Sequence, residues 1–264
     1  MLADDVFEPT TYWERVATTK WGEYTSRVEE RAIREANRLA PLPRAALEIG
    51  CEGGRWSRLL SDLNWSVACT DVNQDSLDIC QRRLPEANCI LVQPDDRTIP
   101  CETGSLGLIL CIEVYPVVDS EWFFREARRT LAPGALIVGV TLNKHSLRGL
   151  LVRARDRRSN QNPNHDHYLS SYRQFKQRAQ AHGFEMLHSE GCCWFPFRRD
   201  SNSSLVPIFT GLERMLRLPR LPGLSPWVVF IAQKQCATCS GRASSSDRPN
   251  GREDALEDAV RTLG

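Results

Sequence analysis

The chain has 264 residues, 34 Lys+Arg against 33 Asp+Glu, 41% apolar side chains, ten cysteines and five histidines. That length allows a large packed core, a formal charge of +1 excludes a surface built wholly for nucleic acid, and no apolar run approaches the roughly 18–20 residues that cross a bilayer. The acidic start Asp4-Asp5-Val6-Phe7-Glu8 is unlike an export signal, so the expectation is a soluble cytoplasmic protein with reduced thiols rather than a disulfide scaffold.

In chain order, Val28, Ala32, Ala36 and Leu39 form one apolar stripe that stops at Pro41. Residues 1–40 are therefore read as a helical lid, with Tyr12, Trp13 and Trp21 as candidate lid contacts. From Ala45 to Leu142 short apolar runs alternate with amphipathic segments, the pattern of a parallel sheet flanked by helices. The runs are Ala45–Gly50, Ser66–Asp71, Cys89–Pro94, Leu106–Val114 and Ala135–Leu142. Between them, Trp56, Leu59, Leu60 and Leu63, then Leu77, Cys80 and Leu84, then Phe123, Ala127 and Leu131 recur at helical spacing. The third of these helices is expected to end at Ala132-Pro133-Gly134. Tyr168, Tyr172, Phe175 and Ala179 predict another helix, and Phe184–Cys193 and Trp227–Lys234 two late strands. The 33 residues between those strands, 194–226, are too many for a hairpin turn and read as an inserted cap within a domain spanning 41–239. Residues 240–264, rich in Ser, Gly, Arg and Asp, read as a disordered tail, with a short helical pattern at Leu256, Ala259, Val260 and Leu263.

In a doubly wound sheet, ligands bind at the carboxyl ends of the strands, and the first strand-to-helix turn is the usual place. Here that turn reads Glu48-Ile49-Gly50-Cys51-Glu52-Gly53-Gly54. Its glycines let the backbone approach a ligand closely. Asp71 ends the second strand 21 positions after Gly50, where a carboxylate can accept both hydroxyls of a ribose. The third strand ends in Pro94-Asp95-Asp96, which offers acceptors and donors to an adenine edge. Gly50, Gly53 and Gly54 do not fit the Gly-x-Gly-x-x-Gly spacing of dinucleotide sites.

The set Glu48-x-Gly50, Asp71, Asp95 and Leu131-Ala132-Pro133-Gly134 resembles the class I S-adenosylmethionine-dependent methyltransferases, particularly small-molecule members of the ubiquinone-methyltransferase-like group, over Tyr12 to Lys234. The resemblance implies an α/β, Rossmann-like, doubly wound sheet of seven mostly parallel strands with an antiparallel last strand and helices on both faces. It implies S-adenosylmethionine as cofactor. Glu48, Gly50, Cys51, Gly53 and Gly54 would hold the methionine part, Asp71 the ribose, Val72 the adenine face and Asp95 and Asp96 its edge, with Cys111 and Glu113 beneath the sulfonium. Glu52 stands where the family's loop has its middle glycine. Val117 stands where a histidine is common in this group, so no mechanism through that histidine is inferred.

Methyl transfer from a sulfonium needs alignment first and a base only for some acceptors. The candidate catalytic residues are Tyr115 and His145, after the fourth and fifth strands. No metal site is expected: His165-x-His167 lacks further ligands, Cys236-x-x-Cys239 has no second pair, Cys192 and Cys193 would face opposite sides of a strand, and the other cysteines read mostly as core filling. Arg148, Arg153, Arg155, Arg157, Arg158, Arg173, Lys176 and Arg178 form a basic stretch. The cap adds Arg198, Arg199, Arg214, Arg217 and Arg220 beside Ile208, Phe209, Leu212, Met215 and Leu216 at helical spacing. Together these suggest an anionic or lipid-like small-molecule acceptor met at a membrane surface, with nucleic acid disfavoured. The alternative is a non-catalytic scaffold or regulator that keeps the fold.

Overall fold

The computed structural model describes residues 11–159 and 168–236, apart from the side chains of 155–159. A threonine side chain caps each of the first two helices. Thr11 and Glu14 form a capping box on α1 (Tyr12–Ala17), and Thr19 accepts from the Gly22 N–H at the start of α2 (Lys20–Leu39). The stripe predicted on α2 starts earlier than Val28, because Trp21 and Tyr24 are also buried. The helix stops at Leu39, two residues before Pro41.

Next come β1 (Ala45–Ile49), α3 (Arg55–Asp62), β2 (Ser66–Asp71), α4 (Gln74–Arg83), β3 (Asn88–Leu91), β4 (Leu106–Cys111), α5 (Tyr115–Val118), α6 (Glu121–Thr130) and β5 (Leu131–Leu142). They are followed by α7 (Leu147–Ser159), α8 (Tyr172–Ala181), β6 (Phe184–Cys192), α9 (Leu205–Met215) and β7 (Trp227–Lys234). The seven strands form one sheet in the order β3-β2-β1-β4-β5-β7-β6. Strands β1 to β5 pair in parallel, and β7 pairs antiparallel with both β5 and β6. Each face of the sheet has its own core. One gathers Trp21, Val28, Ile33, Leu60 and Leu108, and the other Phe123, Phe124, Phe175, Phe184 and Phe230. The expected fold class is the one observed.

Several boundaries differ from expectation. α6 ends at Thr130 rather than at Pro133, and the residues from Leu131 on are already extended. Proline disfavours the helical conformation of the residue before it, so the break begins ahead of the ring. The pairing of β4 with β5 shifts register between Leu106 and Leu108 to absorb the extra residues around Gly134, whose φ is +77°. β3 stops at Leu91 and β4 at Cys111, which leaves 92–98 and 112–114 as loops over the sheet. β6 ends at Cys192, and Cys193 beyond it is left-handed, with φ +61°, so the strand alternation expected of the pair does not extend to Cys193. α8 begins after Ser171, with Tyr168 outside it. The helix α7 was not predicted, because its arginine-rich segment has no apolar stripe.

The 194–226 segment contains α9 and a 3₁₀ turn at Leu218–Arg220. It is fastened to α2 through Glu213, which accepts from the Tyr24 hydroxyl at 2.5 Å and from the Trp194 N–H at 3.0 Å. His165, His167, Cys239, residues 1–10 of the expected lid, and the 240–264 tail with its Leu256–Leu263 pattern lie outside the described residues. Among the described residues no helix is long and apolar enough to cross a membrane.

Candidate functional site

The carboxyl end of β1 is the point where the strand order turns outward, β2 and β3 to one side and β4 and β5 to the other. Two cavities open there and share Gly50 and Val114 in their walls. The larger, about 480 Å³, is of ligand size and is mostly apolar; Val72, Val92, Pro94, Val117 and Trp122 line it, with Asp71, Asp96 and Glu121 as its acids. The smaller, about 70 Å³, is bounded by Trp13, Glu48, Cys51, Glu52, Arg55, Trp56 and Glu113.

The turn between them is tightly determined. The N–H groups of Gly50 and Cys51 both donate to the Thr70 carbonyl, at 2.8 and 3.0 Å. Gly50 has φ +69°, and a Cβ there would stand 2.6 Å from a Val114 methyl. Only glycine meets both demands. Glu52 is also left-handed, at φ +48°, which aims its N–H at Asp71 Oδ2, 2.9 Å away. The Asn73 N–H donates to Asp71 Oδ1 at 3.0 Å. The carboxylate is thus fixed in place, and each oxygen keeps one lone pair for a ligand. Asp96 lines the large cavity and accepts from the Gln93 N–H at 2.7 Å.

The Glu52 side chain turns away from the sheet and accepts from the Thr11 hydroxyl at 2.7 Å and from the Trp13 N–H at 3.2 Å. Arg83 completes this clamp by pairing with Glu14 and donating to the Gly53 carbonyl. The residue that departs from the glycine pattern therefore ties α1 down over the turn. Glu48 is 4% exposed and accepts from the Ser57 hydroxyl; burial raises its carboxyl to about 8, so it is largely protonated at neutral pH.

Behind the small cavity lies a buried carboxyl pair. Burial, with the like charge of Glu29, raises Glu113 well above the usual carboxylate range. Glu29 is raised by burial too, while its ion pair with Arg55 at 3.4 Å pulls the other way. Arg199 from the 194–226 segment lies over the rings of Trp13 (4.9 Å) and Trp227 (5.4 Å), closing this end.

Of the residues expected for the cofactor, the structure brings Glu48, Gly50, Cys51, Asp71, Val72, Asp96 and Glu113 to the cavities. Gly53, Gly54, Asp95 and Cys111 line neither. Tyr115 is buried beside Glu113 with its ring 5.9 Å from Trp227, and burial raises its hydroxyl pKa. His145 is exposed and lines neither cavity. Sequence reasoning missed Glu29, Arg55 and the clamping role of Glu52. Glu29 lies on the α2 stripe, one residue after Val28, and an acid in that position was the available signal.

Residues 47–139 match the family model described as a methyltransferase domain. No curated protein matches the sequence. Among solved structures, an S-adenosylmethionine-dependent methyltransferase from Mesorhizobium loti superposes with a TM-score of 0.55 at 15% identity, covering 83% of this chain and 100% of that one. A geranyl diphosphate methyltransferase in complex with S-adenosylmethionine gives 0.55 at 16% identity over 86% and 92% of the two chains. The [4+2]-cyclase SpnF gives 0.55 at 16% identity over 83% and 84%. These likenesses establish the fold. The cyclase shows that this fold also carries chemistry other than methyl transfer.

Proposed function

We propose that this chain, with its methyltransferase domain at residues 47–139, is an S-adenosylmethionine-dependent methyltransferase acting on a small or lipid-like, anionic acceptor. The observation that carries the reading is the pair of cavities meeting at Gly50, with the Asp71 carboxylate already oriented beside the larger one. The residues present fit the cofactor: a Cβ at Gly50 would crowd the turn, and the large cavity offers apolar walls with the Asp71 and Asp96 carboxylates among its acids. When bound, the cofactor supplies an electrophilic methyl group. Asp71 would hold the ribose, Val72 and the apolar wall the adenine, Asp96 its edge, and Glu48, Gly50, Cys51 and Glu113 the methionine end. The protein aligns the acceptor and excludes water beneath α1 and the 194–226 segment. Glu113 lines the small cavity at the methionine end, and burial holds its carboxyl toward the neutral, proton-bearing form.

The acceptor class rests on Arg55 and Arg199 at the closed end and on α9, where Leu205, Ile208, Met215 and Leu216 are exposed beside Arg214 and Arg217. An apolar face ringed by arginines suits an anionic lipid surface. The Glu48-x-Gly50, Asp71, Asp95 and Leu131-Ala132-Pro133-Gly134 set supports placing this chain in the small-molecule, ubiquinone-methyltransferase-like group. Calorimetric titration with S-adenosylmethionine tests the reading: binding is expected, and Asp71→Asn should weaken it roughly ten- to hundredfold, the loss of about 1.5–3 kcal/mol for hydrogen bonds to a charged group. Absence of binding at millimolar cofactor would instead leave the fold as a scaffold. Flotation with anionic vesicles should recover the protein at low salt and lose it at high salt; no recovery at low salt removes the membrane part of the proposal.

A further inference from the structure

Beneath the glycine turn three thiols converge. Cys51 comes from the turn, Cys69 from β2 and Cys80 from α4, and their sulfur atoms all lie within 4.8 Å of one another in the buried interior. Cys89 of β3 is a fourth thiol near Cys69 and Cys80, though outside the group of three. Ser57 Oγ stands 3.0 Å from the Cys69 sulfur. The turn leaves no slack here, since a Cβ on Gly54 would approach the Cys80 sulfur to 2.6 Å. The four cysteines come from the turn after β1 and from β2, α4 and β3, with no Cys-x-x-Cys spacing among them, so only the fold assembles them.

A buried thiol by itself serves as a small apolar side chain. Three sulfurs within 4.8 Å of one another form a donor set for a soft cation. Around tetrahedral zinc, Zn–S bonds of about 2.3 Å place neighbouring sulfurs about 3.8 Å apart, so the observed cluster needs to contract by an ångström or less. We propose that Cys51, Cys69 and Cys80 bind a single thiophilic cation, zinc in the first instance, with Cys89 in the fourth position. Each ligating thiol loses its proton to solvent as its sulfur–metal bond forms, and no electron is transferred. The ion would join the cofactor turn to β2, α4 and β3. The site does not depend on methyl transfer, and binding of the ion can be measured with no cofactor present.

The experiment uses the full chain with Cys236→Ser and Cys239→Ser, so that the carboxyl-terminal pair cannot compete. Titration with Co²⁺ should produce the visible absorption of a tetrahedral thiolate site, saturate at one equivalent, and be reversed by Zn²⁺. Calorimetry of Zn²⁺ binding in buffers of different ionisation enthalpy should report release of at least three protons. Cys69→Ser and Cys80→Ser, each checked for folding by circular dichroism, should abolish the cobalt spectrum, whereas Cys101→Ser should keep it. A measurement on the unsubstituted chain guards against misfolded variants: X-ray absorption at the zinc edge should show a sulfur shell at about 2.3 Å. Failure to bind one equivalent, a shell of oxygen and nitrogen only, or a cobalt spectrum unchanged in folded Cys69→Ser and Cys80→Ser would each overturn the proposal.

Discussion

Gly50 meets two demands that are separable by mutation. An L-residue at φ +69° costs roughly 1–2 kcal/mol in backbone strain, and the added methyl must also displace Val114. Gly50→Ala should therefore lower stability by about 2 kcal/mol or more, a drop of roughly 4–8 °C in melting temperature. Adding Val114→Ala should recover the steric part and leave the backbone part; full recovery by the double variant would remove the strain argument. Gly50 and Asp71 were legible in the sequence because the end of a strand fixes where a side chain or a bare backbone must sit. The roles of Glu29 and Arg199 were not, since Glu29 meets Glu113, and Arg199 meets Trp13 and Trp227, only through the packing of α2 and the 194–226 segment against distant parts of the chain.

At the level of elements, α1 is held by contacts outside itself. It has only six residues, too few for a stable helix in isolation. The Glu52 carboxylate and the Arg83–Glu14 pair anchor it to the turn. Glu52→Gly restores the residue common in the family's loop and relieves a left-handed glutamate, yet removes both anchors to Thr11 and Trp13. Hydrogen exchange should speed up about tenfold at the α1 amides while the sheet amides keep their protection, because the Arg83 clamp remains; unchanged exchange in α1 would show that Glu52 does not restrain it. A second junction, between α5, β5 and α8, carries a pH dependence. Asp119 accepts from Thr141 at 3.3 Å and pairs with Arg178 at 3.1 Å; burial raises its carboxyl to about 6 despite that cation. The unfolded value is near 3.9, so the folded state holds the proton more tightly. This stability is fully present below about pH 4 and is lost as pH rises through about 6, a change of about 3 kcal/mol. Asp119→Asn lacks that loss. Its melting temperature relative to the parent should therefore rise between pH 4 and pH 7, and a falling difference would reverse the assigned sign. The short helix α5 was invisible in the sequence, because Tyr115-Pro116-Val117-Val118 is too brief to display a helical period.

Across the whole molecule, the alternation of apolar runs and amphipathic segments marked the five strands between Ala45 and Leu142, since parallel strands buried on both faces read as continuous apolar stretches, while the seven-stranded order followed from the resemblance. Pairing order was less accessible from periodicity alone, and strand ends less still, as the early break at Leu131 shows. The formal charge of +1 averages over arginines concentrated in α7, α8 and the 194–226 segment, so the net figure conceals an uneven surface. The sheet order has a further consequence for synthesis on the ribosome. Among the described residues β6 is paired only with β7, and β7 fills the place between β6 and β5. Until residues 227–234 have emerged, β6 has nothing to join, and β5 offers the unpaired edge of Leu136–Leu142 to any passing strand. A nascent chain stalled before Trp227 should therefore be a target for chaperones or for self-association, while one released a few dozen residues later can close its own sheet.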